Sequence, residues 1–421
     1  MQTIYLALLS VLLNNIPDNS SKDDKVESLP DYSYKGETYS GFLKAGPNKQ
    51  FHYLLNLAQE NPEIKPLVLS LQGGPGCSSL ETWAVMTGPM KMDENGKFQE
   101  NQYSWNKEAN MLYIESPGEV GFSFVNSESK EDFEVNDDIT AKDNLNAILS
   151  FFLKFPEFKG RDFYLSGESY SGIYIPMLAY EIINYNKIVP ESNKINVKGI
   201  IVGNGVVDWR YDVDKAILDY IFSHNFASYE MRLDYNKYCI IDLDTNKCNE
   251  TIIKTMSMIN NMNLYDYSQI YDIPGKYDEG VTDYLNREDV KDALHVNNSK
   301  RWDICSAEID KRYVIQKEKG SIWVFPTLIE NNIRILMYSG DTDMCVPFNG
   351  NQKWIENLNL EIEKPWRQWR AFGEPNFVSG YVENYKGLTF CTIRGTGHLA
   401  TKWKPKETFY MFSKFLKNEE F

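Results

Sequence analysis

From about residue 60 onward, short runs of aliphatic and β-branched residues end in glycine-bearing turns and lead into stretches whose apolar positions fall three and four apart. A short run that is apolar on both faces, then a turn, then an amphipathic helix is the repeating unit of a parallel sheet covered by helices. Six such runs predict strands at 67–71, 111–114, 163–165, 197–202, 333–338 and 388–393. Small and polar residues gather where they stop. Gln72-Gly73-Gly74-Pro75-Gly76, Glu115-Ser116-Pro117, Gly167-Glu168-Ser169, Gly203-Asn204-Gly205, Ser339-Gly340-Asp341 and Gly395-Thr396-Gly397-His398 follow in that order. Open α/β sheets place their ligands beyond the carboxyl ends of their strands, so chemistry is expected at these turns.

Residues 39–57 alternate in polarity and predict an antiparallel hairpin at the sheet edge. Between the fourth and fifth runs the strand rhythm is lost and helical periodicity takes over, as at 211–224 and 287–296, with Asn286 as N-cap of the latter. The expected organisation is a core of 21–205 and 331–421, interrupted by a mainly helical cap insertion at 206–330. The one long uncharged apolar stretch, 4–13, is about half the ~20 residues that span a bilayer, so no membrane span is expected. It reads as the hydrophobic region of a signal peptide over residues 1–20.

Composition narrows the partners. The 421 residues carry 44 basic and 59 acidic side chains, a net charge of -15, which repels a phosphate backbone; no nucleic-acid partner is expected. Six cysteines, Cys77, Cys239, Cys248, Cys305, Cys345 and Cys391, show no C-x-x-C or His-rich spacing. Their even number points to disulfides in an oxidising, secretory compartment rather than to a metal site, and neither metal nor cofactor is expected. Sequons at Asn19, Asn249 and Asn297 fit glycosylation there.

Gly167-Glu168-Ser169-Tyr170-Ser171-Gly172, directly after an apolar run, has the context of a nucleophile elbow, a sharp strand-to-helix turn that lifts the serine hydroxyl above the sheet. A serine becomes a nucleophile only when a base takes its proton, and that base needs an orienting acid. Of four histidines, only His398 follows Ser169 in a glycine-flanked loop after a predicted strand; His224 and His295 lie in helical periodicity and His52 in the hairpin. Asp341 and Asp343 end the preceding run. Asp343, further past the strand end, is the expected acid, and Asp341 the expected turn cap. Donors for a developing oxyanion are expected from the Tyr170 N–H and from Gly73-Gly74.

These segments together resemble the serine carboxypeptidases of the α/β-hydrolase fold, a group with vacuolar and lysosomal members. Gly73-Gly74-Pro75-Gly76-Cys77-Ser78-Ser79, Ser104-Trp105-Asn106, Val120-Gly121-Phe122-Ser123, Gly167-Glu168-Ser169-Tyr170, Gly203-Asn204-Gly205, Gly340-Asp341-Thr342-Asp343 and Gly397-His398 look like that family, in its order and over nearly the whole chain. The resemblance implies a mostly parallel sheet with helices on both faces and a triad of Ser169, Asp343 and His398. It also implies Gly74 and Tyr170 as oxyanion donors. Gln72, Gly73 and Glu168 would then read the free C-terminal carboxylate of a peptide substrate. It implies release of C-terminal residues through an acyl-enzyme, an acid optimum, and a lysosomal, vacuolar or secreted enzyme; a homodimer is left open. It further implies a Cys77–Cys305 bond to the insertion. Cys239 and Cys248, close in sequence, are expected to close a short loop, which leaves Cys345 to pair with Cys391.

Against the family pattern, Gln72 stands for the usual Asn, Ser70 for Trp and Met86 for Glu, while Glu119 and Leu399 replace Gly and Met. These departures touch the implied carboxylate network and not the triad, and predict a modest preference for a free acid over an amide. An acyltransferase or esterase with the same triad, and a non-catalytic binding protein on this fold, share most of these motifs.

Overall fold

The computed structural model describes residues 21–93, 95–268, 276–297 and 299–421. The expected signal segment and the Asn19 sequon lie outside the described residues. The strands are Lys25–Val26 (β1), Thr38–Lys44 (β2), Lys49–Asn56 (β3), Leu67–Leu71 (β4), Met90–Met92 (β5), Phe98–Glu100 (β6), Asn110–Ile114 (β7), Phe124–Val125 (β8), Phe163–Glu168 (β9), Val197–Gly203 (β10), Arg334–Gly340 (β11), Ile362–Trp369 (β12), Gly380–Tyr385 (β13) and Leu388–Ile393 (β14). One large sheet runs in the order β1-β2-β3-β7-β4-β9-β10-β11-β14-β13-β12, with β8 on β3, while β5 and β6 form a separate ribbon.

The six apolar runs are the six central strands. β7, β4, β9, β10, β11 and β14 are contiguous and each pairs in parallel with its neighbour. Every residue of β4 and β7 is buried, because helices cover both faces; that is why these strands read as unbroken apolar runs instead of alternating ones. Side chains still alternate between faces. Leu67, Leu69 and Leu71 enter one apolar layer and Val68 the other. The first layer is closed by helices Asp137–Lys154 and Ser171–Asn186, the second by Pro405–Leu416 through Met411, Phe412 and Phe415. Each fully buried Leu or Phe contributes roughly 1.5–3 kcal/mol over its exposed state. The expected hairpin is β2–β3, antiparallel, and antiparallel β13 and β12 close the opposite edge.

Between β10 and β11 the described elements are helical, including Ala216–Ser223, Tyr229–Tyr235, Thr245–Met256, Lys276–Leu285, Glu288–Ala293, Ala307–Arg312 and Phe325–Glu330. Two local expectations need correction. The stretch 211–224 is split between Trp209–Asp212 and Ala216–Ser223, because the buried Asp212 carboxylate folds back onto the Val207 and Asp208 N–H groups. Asn286 is not the cap of Glu288–Ala293; Arg287 holds that position, and Asn286 instead clamps Trp302, accepting its N–H and donating to its carbonyl at 2.8 Å each.

Disulfides join Cys77 to Cys305 and Cys239 to Cys248. The expected Cys345–Cys391 bond is absent, and both thiols are free. The reason is the sheet itself. Cys391 points into one apolar layer, 3.4 Å from Met411 Sδ, whereas Cys345 packs against the other, so the sulfurs lie on opposite faces. Asn249 and Asn297 are exposed.

Candidate active site

β9 ends at Glu168 and the next helix starts at Ser171, so Ser169 and Tyr170 form the whole turn. Ser169 has φ of +63°, a left-handed conformation that a non-glycine residue holds only when its surroundings impose it. Here they do: the Ser169 N–H donates to Gly203 O at 2.9 Å, and its carbonyl accepts from Val206 N at 3.2 Å. Gly167 and Gly172 are small because a Cβ would run into the Ser171 side chain at one and the Val206 carbonyl at the other. Strain at the elbow is thus held by backbone from the adjacent strand end.

Ser169 Oγ lies 2.8 Å from His398 Nε2, and His398 Nδ1 lies 2.8 Å from Asp343 Oδ2. A carboxylate only accepts, so Nδ1 carries the proton and Nε2 turns its lone pair to the serine hydroxyl. Asp343 is fully buried and its oxygens are saturated: Oδ2 also takes Asn204 Nδ2–H at 2.8 Å, and Oδ1 takes the N–H groups of Cys345 at 2.7 Å and Val346 at 3.2 Å. Asp341 faces elsewhere, its Oδ1 accepting the Gly395 N–H at 2.7 Å. The other histidines sit away from this chain. His52 is locked between Glu115 Oε2 and Ser40 Oγ, 2.9 Å from each; His224 stacks on Tyr220; His295 rests on the Ser40 carbonyl.

The Gly73-Gly74 loop presses on the elbow. A Cβ on Gly73 would stand 2.6 Å from Tyr170 N and 2.7 Å from Ser169 Cβ, so only glycine allows the two backbones to meet. Ser78, just past the disulfide at Cys77, donates to Glu115 Oε1, which also receives Trp302 Nε1–H at 2.7 Å. The loop is therefore pinned to the insertion twice, by a covalent bond and by a buried carboxylate.

Beneath the nucleophile lies Glu168, buried, with no hydrogen-bond partner for either carboxylate oxygen among the described residues. Burial first, then the charges of Glu81 and Asp343, push this carboxyl well above its ordinary range, against the opposite pull of the Ala400 and Thr401 amides. Gln72 donates through Nε2 to Glu81 Oε2 at 3.4 Å while its Oε1 accepts the Gly73 N–H at 3.0 Å.

Three residues here escaped the reading of the sequence. Asn204 was visible within its Gly-Asn-Gly turn but not as a partner of Asp343. Tyr265, from the insertion, sets its ring edge against His398 at 4.8 Å and accepts the His398 N–H on its carbonyl at 2.6 Å. Partial desolvation lifts its phenol to about 12, although about half of the side chain remains exposed. Glu81 carried no motif of its own. Among the described residues no group of three or more His, Cys, Asp or Glu is placed to hold a metal, and no helix is long and apolar enough to cross a membrane.

Residues 30–418 match a family model described as serine carboxypeptidase. Serine carboxypeptidase-like 35 of Arabidopsis thaliana is 34% identical, the match covering 94% of this chain and 91% of the relative. Serine carboxypeptidase 24 of the same plant is 32% identical over 99% and 98%, and serine carboxypeptidase ctsa-4.1 of Caenorhabditis elegans 32% over 94% of each. Among solved structures, Kex1(delta)p, a prohormone-processing carboxypeptidase from Saccharomyces cerevisiae, matches with a TM-score of 0.80 at 21% identity, covering 96% of this chain and 97% of that one. At that identity the likeness bears on the fold, which is the α/β-hydrolase fold.

Proposed function

The chain belongs to the serine carboxypeptidase family, and on that premise we propose that Ser169, His398 and Asp343 release C-terminal residues from peptides through an acyl-enzyme. The observation that carries this reading is the unbroken chain of 2.8 Å contacts from Ser169 Oγ through His398 to a saturated, buried Asp343. Ser169 Oγ attacks the carbonyl carbon of the last peptide bond as its proton passes to His398 Nε2. The carbonyl electrons move onto oxygen, where the Tyr170 and Gly74 N–H groups stabilise the charge. His398 then returns the proton to the leaving nitrogen, the C–N bond breaks, and the C-terminal amino acid departs. Water, deprotonated by the same nitrogen, attacks the acyl carbon and frees Ser169.

A substrate's terminal carboxylate is assigned to Gly73, Gln72 and Glu168. Two carboxyl groups brought together out of water cannot both stay charged, so binding takes up a proton and favours acid pH. Residues 206–330 act as a cap on the core of 21–205 and 331–421, tethered by Cys77–Cys305 and delivering Tyr265 to His398. Two disulfides and exposed sequons at Asn249 and Asn297 support passage through the secretory pathway. The test compares a blocked dipeptide with its C-terminal amide at acid and neutral pH, for the native enzyme and Ser169→Ala. Cleavage favouring the free acid, abolished by Ser169→Ala, supports the reading; turnover that persists in Ser169→Ala overturns it.

A further inference from the structure

A groove of about 770 Å³ lies on the seam between the edge hairpin of the core and the insertion. Its core wall comes from β2, β3 and the end of β8, through Phe42, Gln50, Phe124 and Asn126. Its other wall is the turn after Glu288–Ala293, through His295 and Asn297. That volume falls within the about 300–1,000 Å³ of sites that hold small ligands. Ser169, His398 and Asp343 take no part in it. Polar contacts join the two walls beside the groove. Ser40 Oγ donates to the Leu294 carbonyl at 2.8 Å, His295 Nδ1–H to the Ser40 carbonyl at 3.0 Å, and Lys300 Nζ to the Glu119 carbonyl at 2.7 Å.

The lining narrows the chemistry of an occupant. Phe124 keeps 37% of its surface exposed and meets Phe42 edge-on at 5.3 Å, so the core wall presents aromatic carbon. The amides of Gln50, Asn126 and Asn297 each donate and accept. Of the formal charges on the lining, Asp292 and Lys300 are opposite in sign, and Lys300 is already paired with the Glu119 carboxylate at 3.0 Å. Such a groove offers an ion no net counter-charge. Aromatic carbon with neutral amides suits a neutral polyhydroxylated ligand that has apolar C–H faces, which is the chemistry of a carbohydrate.

An attachment point for one stands in the groove itself. Asn297 is exposed and opens an Asn-x-Ser sequon completed by Ser299, and both residues line the groove. The exposed Asn249 sequon differs: it sits on helix Thr245–Met256 and does not line it.

Resting on the secretory passage proposed above, we infer that this groove is the seat of an N-linked glycan on Asn297, whose first N-acetylglucosamine rings lie along Phe124, Gln50 and Asn126. In the attachment, Asn297 Nδ2 loses one proton to the host transferase and bonds to the anomeric carbon of the sugar. The bond from that carbon to the phosphate oxygen of a lipid-diphosphate donor breaks, and the diphosphate leaves with the electron pair. The glycan is then an internal ligand, fixed to the insertion and lying on the core. It closes over the strap 287–305, which carries Trp302 to Glu115 and Cys305 to Cys77. A short tether holds the sugars at an effective concentration of millimolar order, so contacts too weak for a free sugar stay occupied and favour the docked strap over the open one.

The test uses the full chain expressed in a eukaryotic host that glycosylates its secretory proteins. Glycopeptide mass spectrometry should find Asn297 occupied. An endoglycosidase that cuts between the two core N-acetylglucosamines should spare the Asn297 glycan on the folded protein and remove it after denaturation. A glycan on Asn249 should be removed in both states. Phe124→Ser should keep the Asn297 glycan attached but make it cleavable on the folded protein, so the inference stays testable if variants without the sequon fold poorly. Asn297→Gln and Ser299→Ala should each speed amide exchange over 287–305 severalfold, with Asn249→Gln as the unmoved comparison. An Asn297 left unmodified, or a glycan there that is cut on the folded native protein as fast as after denaturation, overturns the inference. Phosphonylation of Ser169 and dipeptide turnover, followed in the same proteins, judge the carboxypeptidase reading separately.

Discussion

Asp212 gives the sharpest consequence of the fold for pH. Its side chain is fully buried, with Oδ2 accepting Val207 N–H at 2.7 Å and Asp208 N–H at 3.0 Å, and Oδ1 accepting Asn351 Nδ2–H at 2.6 Å. Burial outweighs those three donors and lifts the carboxyl to about 7. An unfolded aspartate titrates near 3.9, so between roughly pH 4 and pH 7 the native state holds a proton that the unfolded chain has lost. Stability from this group is therefore complete below about pH 4 and falls as pH rises. At about 1.4 kcal/mol per unit over about three units, the loss approaches 4 kcal/mol near pH 7. Replacement Asp212→Asn removes the titration. Guanidinium unfolding of both proteins at steps from pH 4 to pH 8 should give stability curves that diverge, the variant gaining on the native enzyme by several kcal/mol as pH rises. Parallel curves would refute the argument. The consequence reaches the active site, because Asp212 braces the 203–208 turn that carries Asn204, the partner of Asp343.

Asp343→Asn should lower kcat by about 10⁴, by placing the wrong tautomer of His398 against Ser169, whereas Asp341→Asn, which disturbs turn contacts at Gly395 and Thr396 away from His398, should cost far less; the reverse order in steady-state assays would move the acid to Asp341. Asn204 has φ of +46°, so Asn204→Gly keeps the backbone relaxed while deleting the bond to Asp343; kcat should fall by about one to two orders of magnitude, from the roughly 1.5–3 kcal/mol of a charge-assisted hydrogen bond, and thermal melting should separate this from the added strain of Asn204→Ala. Gln72→Asn should raise kcat/KM for free-acid dipeptides severalfold more than for a small ester, because it draws back by one methylene an amide that now lies between the Gly73 N–H and Glu81; a fall on dipeptides would contradict the reading of this loop as the carboxylate site.

The hydrogen-bonded array of Ser169, His398 and Asp343 was legible because each of its members stands just past the end of a strand buried on both faces. Such strands give unbroken apolar runs, and the turns after β9, β11 and β14 hold Ser169, Asp343 and His398. The strand at the far edge, β12, was not legible, unlike the alternating β2–β3 hairpin. β12 reads Ile362-Glu363-Lys364-Pro365-Trp366-Arg367-Gln368-Trp369, mostly exposed and interrupted by proline, as suits an edge strand guarded against further pairing, and nothing in that pattern separates it from a loop. Tyr265 was hidden for another reason: its role comes from where the insertion lands, and landing positions leave no local trace.

The error over the third disulfide came from counting positions along the chain when the controlling fact was which face of an element they occupied. Cys345 and Cys391 were paired by subtraction, although strand alternation sends Phe390 and Cys391 to opposite layers and separates Cys391 from Cys345 by the thickness of the sheet. The departures at Met86 and Gln72 keep a modest preference for a free acid over an amide as the expectation, because Met86 takes one acid out of the implied carboxylate network and Gln72, one methylene longer than the usual Asn, shifts the amide that faces Gly73.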